Sequence, residues 1–277
     1  MGTDPWPGLK ALQFDEAGRL AGRDPAELLG RSAGRPVLVV VQGNLTTPPI
    51  AVNGGLWTQA WLRRRGALPP GALVVAFDWP SDRVYACDPL DIEEKLRRAY
   101  VAGYHLARFV QGFPPGSRIC LLGQSAGGRV VPAALHLLGG GALNSQSCDA
   151  PVCLPGARTD LHLRAVVVAG ASDRHWLDPG ERFDRGLVAC EALLNLFNRR
   201  DAVLIEYPLE LRTGHHRALG RVGLRGRDLE RLGPLAPRYE ERDMQPILGR
   251  EHTLLGAVAH PTIARWIAPY TWATPGP

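Results

Sequence analysis

Five short runs of aliphatic and β-branched residues, separated by helix-length stretches, constrain this chain more than any other feature. They are Pro36–Gln42 (PVLVVVQ), Ala72–Phe77 (ALVVAF), Arg118–Leu122 (RICLL), Arg164–Ala169 (RAVVVA) and Ala192–Phe197 (ALLNLF). The runs are nearly continuous rather than alternating, so each strand is expected to be buried on both faces, as in a parallel sheet covered by helices on either side. Helical stretches fit between them. One spans Gly55 to Arg65, and a longer amphipathic one runs from Asp91 to Phe113, with Asp91 as expected N-cap and Glu94 three residues on. Others are expected from Ser125 to Leu138, near Glu181–Val188 and over Pro261–Ile267, with a turn near His252–Val258 and a weak sixth strand around Tyr239–Ile247. Alternation of this kind builds βαβ units. The expected fold class is therefore α/β, a doubly wound, mostly parallel sheet of about six strands flanked by helices. Residues 1–35 read as an irregular lead-in with a short helix at Asp24-Pro25. A single domain over 36–270 follows, with a Gly-, Pro- and Ser-rich insertion at 139–160 as a candidate flap.

Composition excludes several functions. The chain of 277 residues carries a formal charge of +5, yet of its 32 basic residues only Lys10 and Lys95 are lysine. Its densest basic run, Arg63-Arg64-Arg65, closes an expected helix and lacks interleaved stacking aromatics, so no nucleic-acid partner is expected. The longest apolar runs, Val37–Val41 and Ala165–Ala171, fall far short of the ~20 residues of a membrane-spanning helix. No apolar core of a signal peptide is visible in the first twenty residues, which contain Asp4, Asp15 and Glu16, so a cytoplasmic location is expected. Five cysteines are too few for a disulfide scaffold; Cys120 and Cys190 read as core, and Cys148 with Cys153 as a pair only in an oxidising compartment. No spacing of Cys and His suits zinc, and no cofactor or metal is expected.

The chemistry-bearing motif is Gly123-Gln124-Ser125-Ala126-Gly127-Gly128, directly after the third strand and opening a helix of small residues. In G-x-S-x-G the flanking glycines let strand and helix approach closely while the serine is held in a strained, exposed conformation. The Ala126 amide at the helix start is then placed to meet a developing oxyanion, aided by the helix dipole. Outside such a context the same residues would be an ordinary Gly-rich turn.

A nucleophilic serine needs a base and a group that orients it. Two acids follow strands, Asp173 in GASD and Asp201 in FNRRD, and three histidine sites lie downstream, His215-His216, His252 and His260. From Asp201 to His215 is fourteen residues, too short for a crossover and a further parallel strand; from Asp201 to His252 is fifty-one. The spacing favours Ser125, Asp201 and His252, with Ser125–Asp173 and His252 or His215 as the alternative, while His260 before Pro261 reads as a helix N-terminal residue. A second oxyanion donor is expected from the loop after the first strand, Gln42-Gly43-Asn44-Leu45-Thr46-Thr47, at the Asn44 amide. Trp57, Trp61, Trp79 and Trp176 are candidates for an acyl pocket or for core packing.

These residues resemble the α/β-hydrolase superfamily, and within it bacterial α/β-hydrolase-like proteins of unassigned function. The landmarks are the strand ending in Gln42-Gly43-Asn44, the segment Phe77-Asp78-Trp79-Pro80-Ser81 with Tyr85 and Asp88 beyond it, the elbow at Gly123–Gly128, and Asn198-Arg199-Arg200-Asp201 followed by Ala202-Val203-Leu204. The resemblance implies Ser125 as nucleophile, Asp201 as acid, His252 as base and the amides of Asn44 and Ala126 as oxyanion hole. The chain departs from the family in having Gln42 where His usually precedes the glycine, and in lacking clear counterparts of the first two strands. A serine hydrolase acting on a small-molecule ester, thioester or amide is the expected function. An inactive α/β-hydrolase-like binding protein and an acyltransferase using the same residues are the alternatives.

Overall fold

The computed structural model describes residues 11–14, 20–143, 152–154, 156–207, 217–224 and 226–273. Six strands form one parallel sheet: β1 (Val37–Val41), β2 (Leu73–Phe77), β3 (Arg118–Gln124), β4 (His162–Val168), β5 (Ala192–Phe197) and β6 (Tyr239–Asp243). Their order is β2-β1-β3-β4-β5-β6, and every neighbouring pair is parallel. All of β1 is buried, as its VLVVV sequence requires, with Val39 opposite Val75 of β2 on one side and Leu121 of β3 on the other.

The strand order places the site. The chain steps from β1 outward to β2, then crosses back over β1 to β3 and continues in that direction to β6. Right-handed crossovers therefore put α1 (Pro48–Arg64) on one face and both α2 (Asp88–Gln111) and α3 (Gly127–Leu138) on the other. The helices α2 and α3 pack together so closely that a Cβ on Gly103 would stand 2.6 Å from that of Ala133. After β6 the chain returns to the α1 face with α4 (Leu254–Ala259) and α5 (Pro261–Ile267). The reversal between β1 and β3 opens a crevice at the carboxyl ends of the strands, where ligands of such sheets bind.

Several expectations are corrected. The lead-in contains an antiparallel pair, Ala11–Phe14 with Leu20–Arg23, separate from the main sheet. The short helix expected at Asp24-Pro25 is present as Pro25–Gly30, with Asp24 as N-cap and its carboxylate accepting from Ala26 N at 2.9 Å. Helix α1 begins at Pro48 rather than near Gly55, because two prolines suit a first turn that needs no amide donors. Helix α2 begins at Asp88, with Cys87 rather than Asp91 as N-cap; Asp91 lies inside the helix and Glu94 binds Arg97 and Arg98. The stretch expected to be helical at Glu181–Val188 is helical only over Gly186–Ala189, since Gly180 takes φ +82° and the chain folds back to bring Phe183 N within 2.6 Å of Trp176 O. The insertion leaves α3 at Gly139, the end of that helix remote from Ser125, and its described ends pair as Ala142–Leu143 with Val152–Cys153. Residues 144–151 and 155 of it, Cys148 included, lie outside the described residues. Cys120 and Cys190 are buried core thiols, and burial pushes both up to about 12. No described helix is long and apolar enough to cross a membrane.

Candidate active site

Strand β3 delivers Ser125 to the sheet edge at the reversal point. The residue has φ +55°, a left-handed backbone that a side chain rarely adopts, and three hydrogen bonds hold it there. Its N–H donates to Val168 O at 3.0 Å, while its carbonyl accepts from Gly128 N and Ala171 N, each at 2.8 Å. The glycines make this turn possible. A Cβ on Gly127 would lie 2.2 Å from Val41 O, and one on Gly43 would lie 2.7 Å from the Ser125 Cβ. The α3 N-terminus, with Ala126 in front of it, thus stands at the crevice beside Ser125.

The loop after β5 brings Asp201, 1% exposed, to the same edge. Its Oδ1 accepts from the amides of Val203 and Leu204, both at 2.8 Å, and its Oδ2 lies 2.7 Å from His252 Nδ1. His252 sits on the loop before α4, and three successive carbonyls of that loop are held from neighbouring strand ends. Ala202 N donates to Arg250 O at 3.2 Å, Asn198 Nδ2 to Glu251 O at 2.9 Å and Gln124 Nε2 to His252 O at 2.9 Å. The Asp201 side of the imidazole is therefore locked. The other side is not engaged: His252 Nε2 is buried and, among the described residues, has no hydrogen-bond partner, Ser125 Oγ included.

The alternative acid is placed elsewhere. Asp173 accepts from His175 N at 2.9 Å, and its segment bridges to Ala218, whereas the His252 ring bonds Asp201. His215 and His216 lie outside the described residues. His260 is the N-cap of α5, its Nδ1 accepting from Thr262 N at 3.3 Å.

A cavity of about 370 Å³ opens beside Ser125, with Asn44 and Ala126 in its lining. The loop that carries Asn44 is braced by the segment after β2. Trp79 Nε1 donates to Gln42 O at 2.9 Å, Leu45 N to Ser81 O at 2.9 Å and Ser81 Oγ to Thr46 O at 3.1 Å. The Trp-Pro-Ser landmark is thus a clamp on the candidate oxyanion loop. Gln42, the departure from the family pattern, turns away and donates to Ile50 O and Ala51 O, both at 3.1 Å, at the start of α1. None of Trp57, Trp61, Trp79 and Trp176 lines this cavity, although Trp79 and Trp176 are buried in the core.

Residue patterns alone missed the other polar part of the cavity. Lys95 lines it and is buried, and behind it stands buried Asp91. The signal was available as an Asp and a Lys four apart on a largely apolar helix face, in a chain with two lysines.

The parallel six-strand sheet, its crossover pattern and the tight strand-to-helix turn at Ser125 are those of an α/β-hydrolase fold whose sheet, among the described residues, begins at the strand before the candidate oxyanion loop. No protein-family model matches the chain, and no curated protein matches it. Among solved structures the chain is similar to esterase B from Lactobacillus rhamnosis inhibited by a C4-C4 SN3 tributyrin phosphonate, at 11% identity. The match covers 87% of this chain and 78% of that one, with a TM-score of 0.39. A C6-C4 SN3-inhibited structure of the same esterase matches at 11% identity over 87% of this chain and 74% of that one, with a TM-score of 0.38.

Proposed function

We propose that the protein is a serine hydrolase that cleaves a carboxylic ester, thioester or amide through an acyl-enzyme. The observation that carries this reading is the imidazole of His252, bound at Nδ1 to a buried carboxylate and left at Nε2 without a partner among the described residues. A buried polar atom without a partner is costly and calls for an explanation. Here its partner is the Ser125 hydroxyl, through a bond that forms when substrate orders the site, since catalytic hydrogen bonds are often loose in the unliganded state.

In this mechanism His252 Nε2 takes the Ser125 Oγ proton as Oγ bonds to the substrate carbonyl carbon. The carbonyl π pair moves onto oxygen, where the amides of Asn44 and Ala126 hold it. Asp201 fixes the Nδ1–H tautomer and stabilises the imidazolium. The imidazolium then protonates the leaving oxygen, sulfur or nitrogen as its bond to carbon breaks. Water, deprotonated by the same Nε2, attacks the acyl-enzyme and releases the acid with Ser125 restored.

Labelling with a fluorophosphonate probe tests this. Wild type is expected to label at Ser125, with labelling lost in Ser125→Ala and His252→Ala and ester turnover reduced about 10⁴–10⁶-fold in each. The missing bond between Ser125 and His252 also suits a second reading, a binding protein with an inert serine. A folded wild type that neither labels nor turns over esters would establish that second reading and end the first.

A further inference from the structure

We propose that Lys95 is a specificity-determining residue of the cavity beside Ser125, and that the acyl group it selects carries an uncharged oxygen acceptor (hydroxyl, carbonyl or ether) for the lysine ammonium. This rests on the hydrolase reading and names its substrate class.

The cavity walls contributed by Ile92, Leu96, Val203 and Leu204 are apolar and suit a hydrocarbon chain. Two ionised side chains interrupt them. Asp88 is at the rim, its side chain 72% exposed and paired with Arg83. Lys95 is 1% exposed, and its one hydrogen bond among the described residues is to Asp91 Oδ2. Asp91 itself is fully engaged, its Oδ1 accepting from Val84 N at 2.6 Å and Tyr85 N at 2.9 Å. An ammonium has three donors, so two remain, removed from bulk water, on a residue that lines the cavity. Leaving such donors unmet is unfavourable, and a ligand that meets them is selected over one that cannot.

A purely structural pair would not require this arrangement. Nearly all of the 32 basic residues of the chain are arginine, and Lys95 is one of two exceptions. An arginine here would turn its planar fork onto the Asp91 carboxylate, whereas lysine meets it as a point charge and keeps donors for a second acceptor. The acceptor is uncharged because Asp91 already balances Lys95. A carboxylate on the substrate would bring a second, unbalanced anion into an apolar cavity.

The test compares p-nitrophenyl hexanoate with the isosteric 3-, 4- and 5-oxahexanoates and with the p-nitrophenyl monoester of hexanedioic acid, each corrected for its alkaline hydrolysis rate. In wild type at least one oxa ester should exceed hexanoate about tenfold or more in kcat/KM, while the anionic monoester falls below it. In the neutral double variant Asp91→Asn/Lys95→Met that ratio should fall to about one. In Asp91→Asn alone, where the ammonium loses its counter-charge, the anionic monoester should rise against hexanoate. Thermal melting reports which variants fold; should the double variant fail, the wild-type and Asp91→Asn ratios decide. Equal rates for hexanoate and every oxa ester in an active wild type overturn the proposal, as does a preference that survives in the double variant. Absence of all ester turnover and of probe labelling removes the hydrolase reading and this proposal together, a result distinct from equal rates on an active enzyme.

Discussion

Two buried carboxylates near the cavity, Asp201 and Asp91, are built alike and paired differently. Each offers Oδ1 to two successive backbone amides, Val203 and Leu204 for one, Val84 and Tyr85 for the other, and gives Oδ2 to a basic side chain. For Asp201 that base is His252, and for Asp91 it is Lys95. The amide pairs fix where each charge sits, and the partner decides what the charge is for. An imidazole held this way keeps Nε2 as the atom through which a proton can be accepted and returned. An ammonium held this way has no acceptor atom and can only present its remaining donors to something else. One cradle thus serves the proposed proton transfer and its twin the proposed choice of acyl group.

Asparagine substitutions should separate the two most widely. In Asp201→Asn the Nδ1–H tautomer loses its acceptor, and kcat should fall about 10⁴-fold with KM little changed. In Asp91→Asn the principal change should be in acyl selectivity and thermal stability. Steady-state kinetics on one short-chain ester series reads both, and comparable losses of kcat in the two variants would refute the division of labour.

The candidate oxyanion loop, whose Asn44 lines the same cavity, should be next in sensitivity. In Gly43→Ala the new Cβ would stand 2.7 Å from the Ser125 Cβ and 2.9 Å from Gln124 Oε1, so the loop carrying Asn44 must shift. A loss of about 10²–10³ in kcat is expected, the scale of removing one oxyanion donor. Wild-type rates in a folded Gly43→Ala would exclude the Asn44 amide from the mechanism.

What was legible in the sequence follows from range. Buried strands announce themselves by nearly continuous apolar runs, so five of six are visible, and β5 matches its run residue for residue at Ala192–Phe197. The weak sixth strand, YEERD, has little apolar content because it is the edge strand beyond β5. Local chemistry was also readable. The glycine requirement of the elbow reappears as contacts below 3 Å, and the Asp201–His252 pairing followed from loop-length arithmetic. Long-range placement was not. Asp91 looked like a helix cap because Asp before an amphipathic run usually is one, but its carboxylate reaches amides six and seven residues back instead. Nothing local distinguishes those two uses. The tryptophans likewise gave no sign that Trp79 would brace a loop rather than line a pocket.

That brace can be loosened without touching the glycine. Ser81 is fully buried and donates to Thr46 O at 3.1 Å while accepting from Thr46 N at 3.3 Å. Ser81→Ala removes both bonds and leaves two polar groups of buried Thr46 without that partner. A stability loss of about 1–3 kcal/mol is expected. If the loop positions the oxyanion donor, kcat should also fall about tenfold with KM nearly constant. A Tm decrease with unchanged kcat would make the Trp-Pro-Ser segment a fold brace alone.

The smallest effect should come from acid, and it falls on the Lys95 side. Burial raises the Asp91 carboxyl, but the hydrogen bonds from Lys95 and from the Tyr85 and Val84 amides outweigh it and hold the group well below its ordinary 3.8. Its folded value is depressed, so its contribution to stability is present above about pH 4 and is lost as pH falls below that. Glu94, one turn along α2, behaves the same way for a different reason. Its hydrogen bond to Arg97, with that to Arg98, outweighs partial burial and lowers it from 4.5 to about 2, so its share is lost between those values. Tm measured from pH 5 to 2.5 should decline in wild type and decline less steeply in both Asp91→Asn and Glu94→Gln, since neither variant has that proton left to take up. An acid limb in Asp91→Asn parallel to wild type would mean that the lysine pair does not hold the carboxylate ionised. The likeness to the Asp201 cradle would then be one of geometry only.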